Sequence, residues 1–263
     1  MDRPNTGRRI STLSVEPQLF ARRASIIFDP PNGAHVQFSC LDHDGHLFYC
    51  KPDADGRPLR AIELICTLLA ESLGIRVADV AIIEHGGETY FGSRDEPSSE
   101  NIFSVRSYLS TRQSDELGGG ARFPGEHLAR LFVLDVFLNN PDRGFCNFLL
   151  VRDGSVRRLC AIDFANADLS AITTDRMPVA NSQTLIVGKQ LRAIHGDFRS
   201  CGVEMLERIA TFPADAYKRI VGQVPLDWLT AAQRKELNEN WQSSGFANRL
   251  ATLRKRLEDG ELV

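Results

Sequence analysis

At 263 residues the chain is long enough to bury a substantial core, as one large domain or two lobes. Its 31 basic residues against 34 acidic ones leave a net charge of −3, so no global basic field favours nucleic acid. No run approaches the roughly 20 apolar residues of a membrane span, and the first residues carry no apolar signal core. Residues 1–20 are polar and weakly patterned, which predicts a flexible tail. Arg8-Arg9-Ile10-Ser11 and Arg22-Arg23-Ala24-Ser25 have the form of basic serine-phosphorylation sites, a pattern short enough to arise by chance.

A strand is expected over 25–28, then a turn at Pro30-Pro31-Asn32-Gly33. Val36, Phe38 and Cys40 alternate with Gln37 and Ser39, the period of a half-buried strand. After the turn Asp42-His43-Asp44-Gly45, a further strand over 46–51 puts Leu47, Tyr49 and Lys51 on one face. Residues 59–73 read as a helix stopped by Gly74, with Ile62, Ile65, Leu69 and Leu73 as its apolar stripe. Glu63 lies off that stripe, beside Thr67 and Ala70, which predicts a solvated carboxylate. Strands over 75–84 and 88–92 flank the hairpin turn His85-Gly86-Gly87, where His85 has no partner at metal-ligand spacing. Residues 102–105 read as the last strand of a first lobe, and 108–120, rich in Ser, Thr, Gln and Gly, as the crossing into a second.

Residues 124–139 form a strongly apolar helix pattern. Asp135 shares a side with Leu128 and Leu131, and a charge buried there needs a partner. Arg143 is the expected one, and the pair would brace the loop that follows. That loop opens the stretch 139–165, which reads as a turn, a hairpin and a second turn. Asp142 and Asn147 stand in the first turn, Asp153-Gly154 bends the hairpin, and Asp163-Phe164-Ala165 ends it. Asp and Asn are common turn residues. The convergence of carboxylate, amide and carboxylate at one end of two paired strands nevertheless has a chemical reading. Magnesium takes hard oxygen ligands, and phosphoryl transfer needs such ions to neutralise phosphate oxygens. Asp-x4-Asn followed by Asp-Phe-Gly is the kinase arrangement, matched here except for Ala165.

Beyond it, 166–178 is polar and irregular, and 182–194 is a helix. His195-Gly196-Asp197 imitates a phosphotransferase motif but has Gly202 where an Asn should follow, so it reads as a turn. Helices are expected over 203–211, 214–221, 230–242 and 246–258, with Trp228 and Trp241 as core or groove anchors. Six scattered cysteines without a Cys-x-x-Cys pair read as reduced, mainly buried thiols of a cytoplasmic protein. Arg152, Arg157 and Arg158 form a local basic cluster on the hairpin, but nothing else supports nucleic-acid binding.

With Asn140-Pro-Asp142-Arg143 and the upstream Lys51-Pro52, the chain resembles the HipA-like kinases over roughly residues 25–256, a family that shares the Asn-x-Asp-Arg logic with phosphatidylinositol kinases. The resemblance implies an α+β, bilobal protein-kinase-like fold. Residues 21–110 would form an N-terminal lobe of antiparallel sheet plus one helix, and 111–263 a mainly helical C-terminal lobe. It implies ATP-dependent, Mg2+-assisted transfer of the γ-phosphate to a hydroxyl, most simply a serine or threonine of a protein substrate. An antitoxin or regulatory partner and a cytoplasmic setting follow from the same likeness; a membrane or nucleic acid does not. Asp142 would be the catalytic base and Asn147 and Asp163 the metal ligands. Lys51, Gly33, Glu63 and Arg143 would serve the nucleotide, with its base near 103–108. Three departures stand out: Gly144 where the families have His, Ala165 for Gly, and the lone Gly33 in place of a glycine-rich loop. They leave an alternative, a kinase-shaped binding module without turnover (a pseudokinase).

Overall fold

The computed structural model describes residues 21–29, 35–111, 124–154 and 156–262. The N-terminal strands are β1 (Arg22–Arg23), β2 (Ile26–Phe28), β3 (Phe38–Leu41) and β4 (Leu47–Lys51). Helix α1 (Leu59–Ser72) follows, then β5 (Val80–His85) and β6 (Glu88–Arg94). Gly86 and Gly87 join the last two strands, at φ 61° and 83°. That left-handed geometry suits glycine and matches the twist of paired strands, so Ile83 meets Tyr90 in register. The six strands order as β1-β5-β6-β4-β3-β2, antiparallel except for short β1, which runs parallel to β5.

Helix α1 is buried on more than its apolar stripe. One side packs on the sheet against Ile82 and Phe91, and another meets C-terminal residues Tyr217, Ile220 and Val221 in the same core. Glu63, Thr67 and Ala70, the side expected to face water, are buried with the rest. The helical wheel located the stripe correctly; it could not see that a second layer covers the opposite side.

The expected strand at 102–105 is instead the start of helix α2 (Ile102–Ser110). Asn101 caps it, its Oδ1 accepting from the Ser104 amide at 3.0 Å, and burial recurs at Val105, Tyr108 and Leu109. The expected crossing over 108–120 therefore begins inside a helix, and its residues 112–120 lie outside the described residues. So do the tail 1–20 and the turn residues Asn32, Gly33 and Ala34.

The C-terminal part is built on α3 (Gly125–Phe137), in which every residue from His127 to Phe137 except Arg130 is buried. The hairpin β7 (Phe148–Asp153) and β8 (Val156–Ala161) follows. Then come α4 (Gln183–His195), α5 (Arg199–Thr211), α6 (Ala214–Gly222), α7 (Ala231–Asn240) and α8 (Ser244–Glu258). Trp241 stacks on Tyr217 at 4.1 Å between ring centres and meets Phe137 edge-on, while Trp228 is buried with its indole N–H donated to Thr89 at 2.7 Å. Both tryptophans are core anchors, as expected. Buried Arg249 of α8 reaches the end of α3, donating to the Val136 carbonyl at 2.7 Å and that of Phe137 at 2.8 Å. The Val136 carbonyl also accepts from the Asn139 amide at 3.1 Å, and helix-end carbonyls lack a full set of partners within their own helix, so the arginine caps α3 and fixes where the next loop starts. Among the described residues no helix is long and apolar enough to cross a membrane.

Candidate active site

Beyond α3, Asn139 turns the chain at φ 49°, a conformation Asn tolerates better than most residues. Asp135, fully buried, accepts from Arg143 Nε at 2.8 Å and Nη2 at 3.1 Å, and from Asn140 Nδ2 at 2.7 Å. The expected brace is thus formed, and it is bidentate. Arg143 also donates through Nη1 to the carbonyls of Asn147, at 3.0 Å, and Ile162. One guanidinium therefore ties the helix to both ends of the β7–β8 hairpin. From α4, Thr184 Oγ1 accepts from the Arg143 amide at 2.9 Å and donates to the Asn140 carbonyl at 2.6 Å.

This corrects one expectation. Arg143 does not serve the nucleotide side: its head is buried, committed to Asp135 and two carbonyls, and lies over the Phe164 ring at 4.5 Å. It positions the loop.

The loop so held turns three oxygen-bearing groups toward one cleft of about 470 Å³. Asp142 is half-buried, its Oδ2 accepting from Asn166 Nδ2 at 3.1 Å. Asn147 is oriented by its own amide, whose Nδ2 donates to the Asp142 carbonyl at 2.5 Å. Among the described residues its Oδ1 has only the weak Cys146 thiol donor, at 3.1 Å. Asp163 sits at φ 61° after β8, again a conformation that Asp visits more readily than most residues.

The opposite wall brings Lys51 from β4. Its ammonium is paired with Glu63 and lies 3.0 Å from Asp163 Oδ1. Glu63 Oε2 also accepts from the Phe164 amide at 2.8 Å, so the helix carboxylate holds both the strand lysine and the loop of the second acid. Glu63 is only 1% exposed, and the solvated carboxylate expected from the helical wheel is overturned. Burial alone would lower the Lys51 pKa, but the two carboxylates outweigh it and hold the ammonium above its ordinary range. Burial pushes the Glu63 carboxyl up, with Lys51 pulling against it. Burial would likewise raise Asp163, yet the adjacent Lys51 keeps it below the usual carboxylate range.

Val36, Tyr49, Val80 and Ser93 are among the residues that line the rest of the cleft; none of residues 103–108 is. Phe103 is 77% exposed on α2 and borders a separate cavity with Glu100 and Arg157. The placement of a base near 103–108 gains no support from the lining: a helix, packed against β7 and the turn at Asn147, occupies that stretch, and none of its residues borders the cleft. Gly33 lies outside the described residues.

Three contributors were not singled out in the sequence. Asn166 contacts Asp142, and Thr184 pins the loop. Arg57, between β4 and α1, donates to the carbonyls of Ala165 at 3.1 Å and Ala167 at 2.9 Å. Only Asn166 had a local signal, standing on the same turn as Asp163. Arg152 and Arg157 of the basic hairpin converge on Glu100 Oε1, at 3.1 and 2.9 Å. The His195 turn is as expected, the ring bonded to the Leu109 carbonyl at 2.6 Å. Asp42, Asp44 and His46 gather at one turn, but Arg22 already stands among them, 2.6 Å from Asp42.

Among solved structures, the Helicobacter pylori proinflammatory kinase CtkA matches with a TM-score of 0.57 and 13% identity, over 89% of this chain and 96% of that one. At that identity the likeness shows the fold. HipA of Shewanella oneidensis MR-1, solved with HipB and operator DNA, matches with a TM-score of 0.46 and 14% identity, over 91% of this chain and 65% of that one. No curated protein sequence matches. A family model described as HipA-like kinase matches residues 24–257, nearly the whole chain, and with the bilobal fold and the cleft just described the chain belongs to the HipA-like kinase family.

Proposed function

We propose that this chain is an active ATP-dependent phosphotransferase that passes the γ-phosphoryl group, with Mg2+, to a serine or threonine hydroxyl of a protein. The observation that carries the reading is the convergence of Lys51 and Glu63 from one wall and Asp142, Asn147 and Asp163 from the other on a single cleft. The donor set fits a hard cation: Asn147 Oδ1 and the Asp163 carboxylate are both oxygens. The cleft is of the size small-molecule sites take, about 300–1,000 Å³. Mg2+·ATP supplies an electrophilic phosphorus whose leaving oxygens are neutralised.

The protein's residues then divide the work. Lys51, held by Glu63, offers its ammonium protons to phosphate oxygens. Asn147 Oδ1 and Asp163 hold the cation. Asp142 has Oδ2 steadied by Asn166 and takes the proton of the acceptor hydroxyl. The base fits against Val36, Tyr49 and Ser93. The protein acceptor, a regulatory or antitoxin partner and a cytoplasmic setting belong to the proposal on family membership. The free cysteines are compatible with a reducing compartment.

A second reading, nucleotide binding without turnover, draws on Gly144, which puts no side chain where the family has His. Magnesium-dependent ATP turnover by the purified chain, lost in Asp142→Ala and in Asp163→Ala, supports the first reading. Calorimetric binding of ATP with no phosphate release establishes the second. Turnover that survives both substitutions overturns the site assignment.

A further inference from the structure

Residues 163–167 are gripped one after another by side chains from the N-terminal sheet, helix α1 and the turn between them. Lys51 of β4 lies 3.0 Å from Asp163 Oδ1, and Glu63 of α1 accepts from the Phe164 amide at 2.8 Å. Arg57 takes the residues that follow. Its Nη2 donates to the Ala165 carbonyl at 3.1 Å and the Ala167 carbonyl at 2.9 Å, and its Nη1 to Asn166 Oδ1 at 3.4 Å. Both alanines are fully buried and offer only backbone to hold.

The arginine leaves a tight turn. Asp55 and Gly56 stand at φ 55° and 68°, the left-handed pair that a two-residue hairpin favours. Ala54 and Arg57 bridge across it, the Arg57 amide donating to the Ala54 carbonyl at 2.9 Å. The Arg57 carbonyl in turn accepts from the Leu59 amide at 2.9 Å, where α1 begins. The backbone of Arg57 is therefore fixed on both sides, between the strand of Lys51 and the helix of Glu63.

Asn166 carries this hold across to the catalytic loop. Its Nδ2 donates to Asp142 Oδ2 at 3.1 Å while its Oδ1 faces the guanidinium. Turned over, the amide would set oxygen against carboxylate and N–H against cation, so the two charges fix which way it points. We infer that Arg57 is a positioning residue: it clamps the loop after Asp163 to the elements that carry Lys51 and Glu63, and through Asn166 it sets the Asp142 carboxylate. The nucleotide side of the cleft and the proposed base then keep one spacing. What Asp142 does at that spacing rests on the phosphotransferase reading; the clamp on the loop does not.

Arg57→Ala in the full-length chain is the test, read in two ways. Hydrogen exchange without nucleotide follows the loop: amides of residues 164–168 are expected to exchange about tenfold faster, the scale of one net hydrogen bond. Magnesium-dependent ATP turnover follows the base. There kcat is expected to fall about tenfold to a hundredfold, the scale of a misplaced reacting group. KM for ATP should stay within about twofold, because Lys51 and Glu63 still hold Asp163 and Phe164. Asn166→Ala should lower kcat likewise, and the double variant should fall no further than the lower single one, since both cut the same path. Arg57→Lys keeps the charge without the fork, and should show the same changes at about threefold; it decides the matter should Arg57→Ala fail to fold. Unchanged exchange overturns the clamp. Unchanged kcat, or losses that add in the double variant, overturns the link to Asp142. A wild-type chain without ATP turnover overturns the phosphotransferase reading instead, and faster exchange in Arg57→Ala then still supports the clamp.

Discussion

Asp135–Arg143 and Glu63–Lys51 are the same chemical object, a buried carboxylate against a buried cation, completed in different ways. Every donor direction described for Arg143 ends within the protein, on Asp135 or on the carbonyls of Asn147 and Ile162. Lys51 instead divides its charge between Glu63 and Asp163 and lines an open cleft. The closed pair aims backbone; the open one keeps charge available to something that enters. A carboxylate removed from the closed pair leaves an unpaired buried cation, an error of stability. A carboxylate removed from the open set leaves Lys51 a second partner, so the loss falls on function.

The largest expected effect lies on the open side. Asp163→Ala should lower magnesium-dependent ATP turnover by about a thousandfold or more, the scale of removing a group that neutralises developing charge. Its stability should fall only by the roughly 1–2 kcal/mol that Ala costs at a left-handed φ, because Glu63 remains on Lys51. A fall in stability as large as the fall in activity would erase the contrast. On the closed side, Asp135→Asn should cost about 3–5 kcal/mol in denaturant unfolding. An unchanged midpoint together with unchanged turnover would show that the brace holds nothing.

His127 sharpens the closed side through pH. It is buried in α3, and burial, followed by Arg76, Arg130 and Arg143, lowers its pKa to about 4. The folded state therefore takes up its proton later than the unfolded chain, whose value is about 6.5. The stability held above pH 6.5 is lost as pH falls toward about 4, by up to about 3 kcal/mol, and changes no further below it through this group. Unfolding titrations of His127→Phe should lack that segment; the same slope in the variant would assign the proton elsewhere. Glu63→Gln should reduce turnover about tenfold to a hundredfold, roughly 1–3 kcal/mol of activation free energy, since Asp163 alone then holds Lys51. Equal activity would mean that Glu63 orders the Phe164 amide and no more. The smallest effect belongs to Gly144→Ala. The backbone there has φ −88°, and the nearest atom to an added Cβ is Cys146 Sγ at 3.5 Å. Stability should hold within about 0.5 kcal/mol, which would show that glycine is not required by the backbone at that point.

Much of the site could be read locally. Asp142, Asn147 and Asp163 stand on one turn–hairpin–turn, where spacing and pleat decide what shares an end, and Asp135 announced its need of Arg143 by facing an apolar side. The misreadings were of another kind. Phe103 and Val105 suggested a strand, but the Asn101 cap and the burial at Tyr108 and Leu109 made a helix. Arg143 was expected to serve the nucleotide as well as Asp135, because a loop arginine beside a catalytic acid gives no local sign of how all its donors are used. Arg57 and Thr184 had no signal at all, since their partners lie 108 and 41 residues away.

By itself the sequence determined most of the elements, the local turns and the set of oxygen and nitrogen groups available for chemistry, because these follow from contacts a few residues apart. Only the tertiary structure decided that Glu63 faces Lys51 instead of water, that residues 102–110 are a helix, and that Arg57 and Thr184 reach the loops of the cleft. Helical periodicity records which side of a helix is apolar; whether a second layer covers the other side depends on packing between segments far apart in the chain.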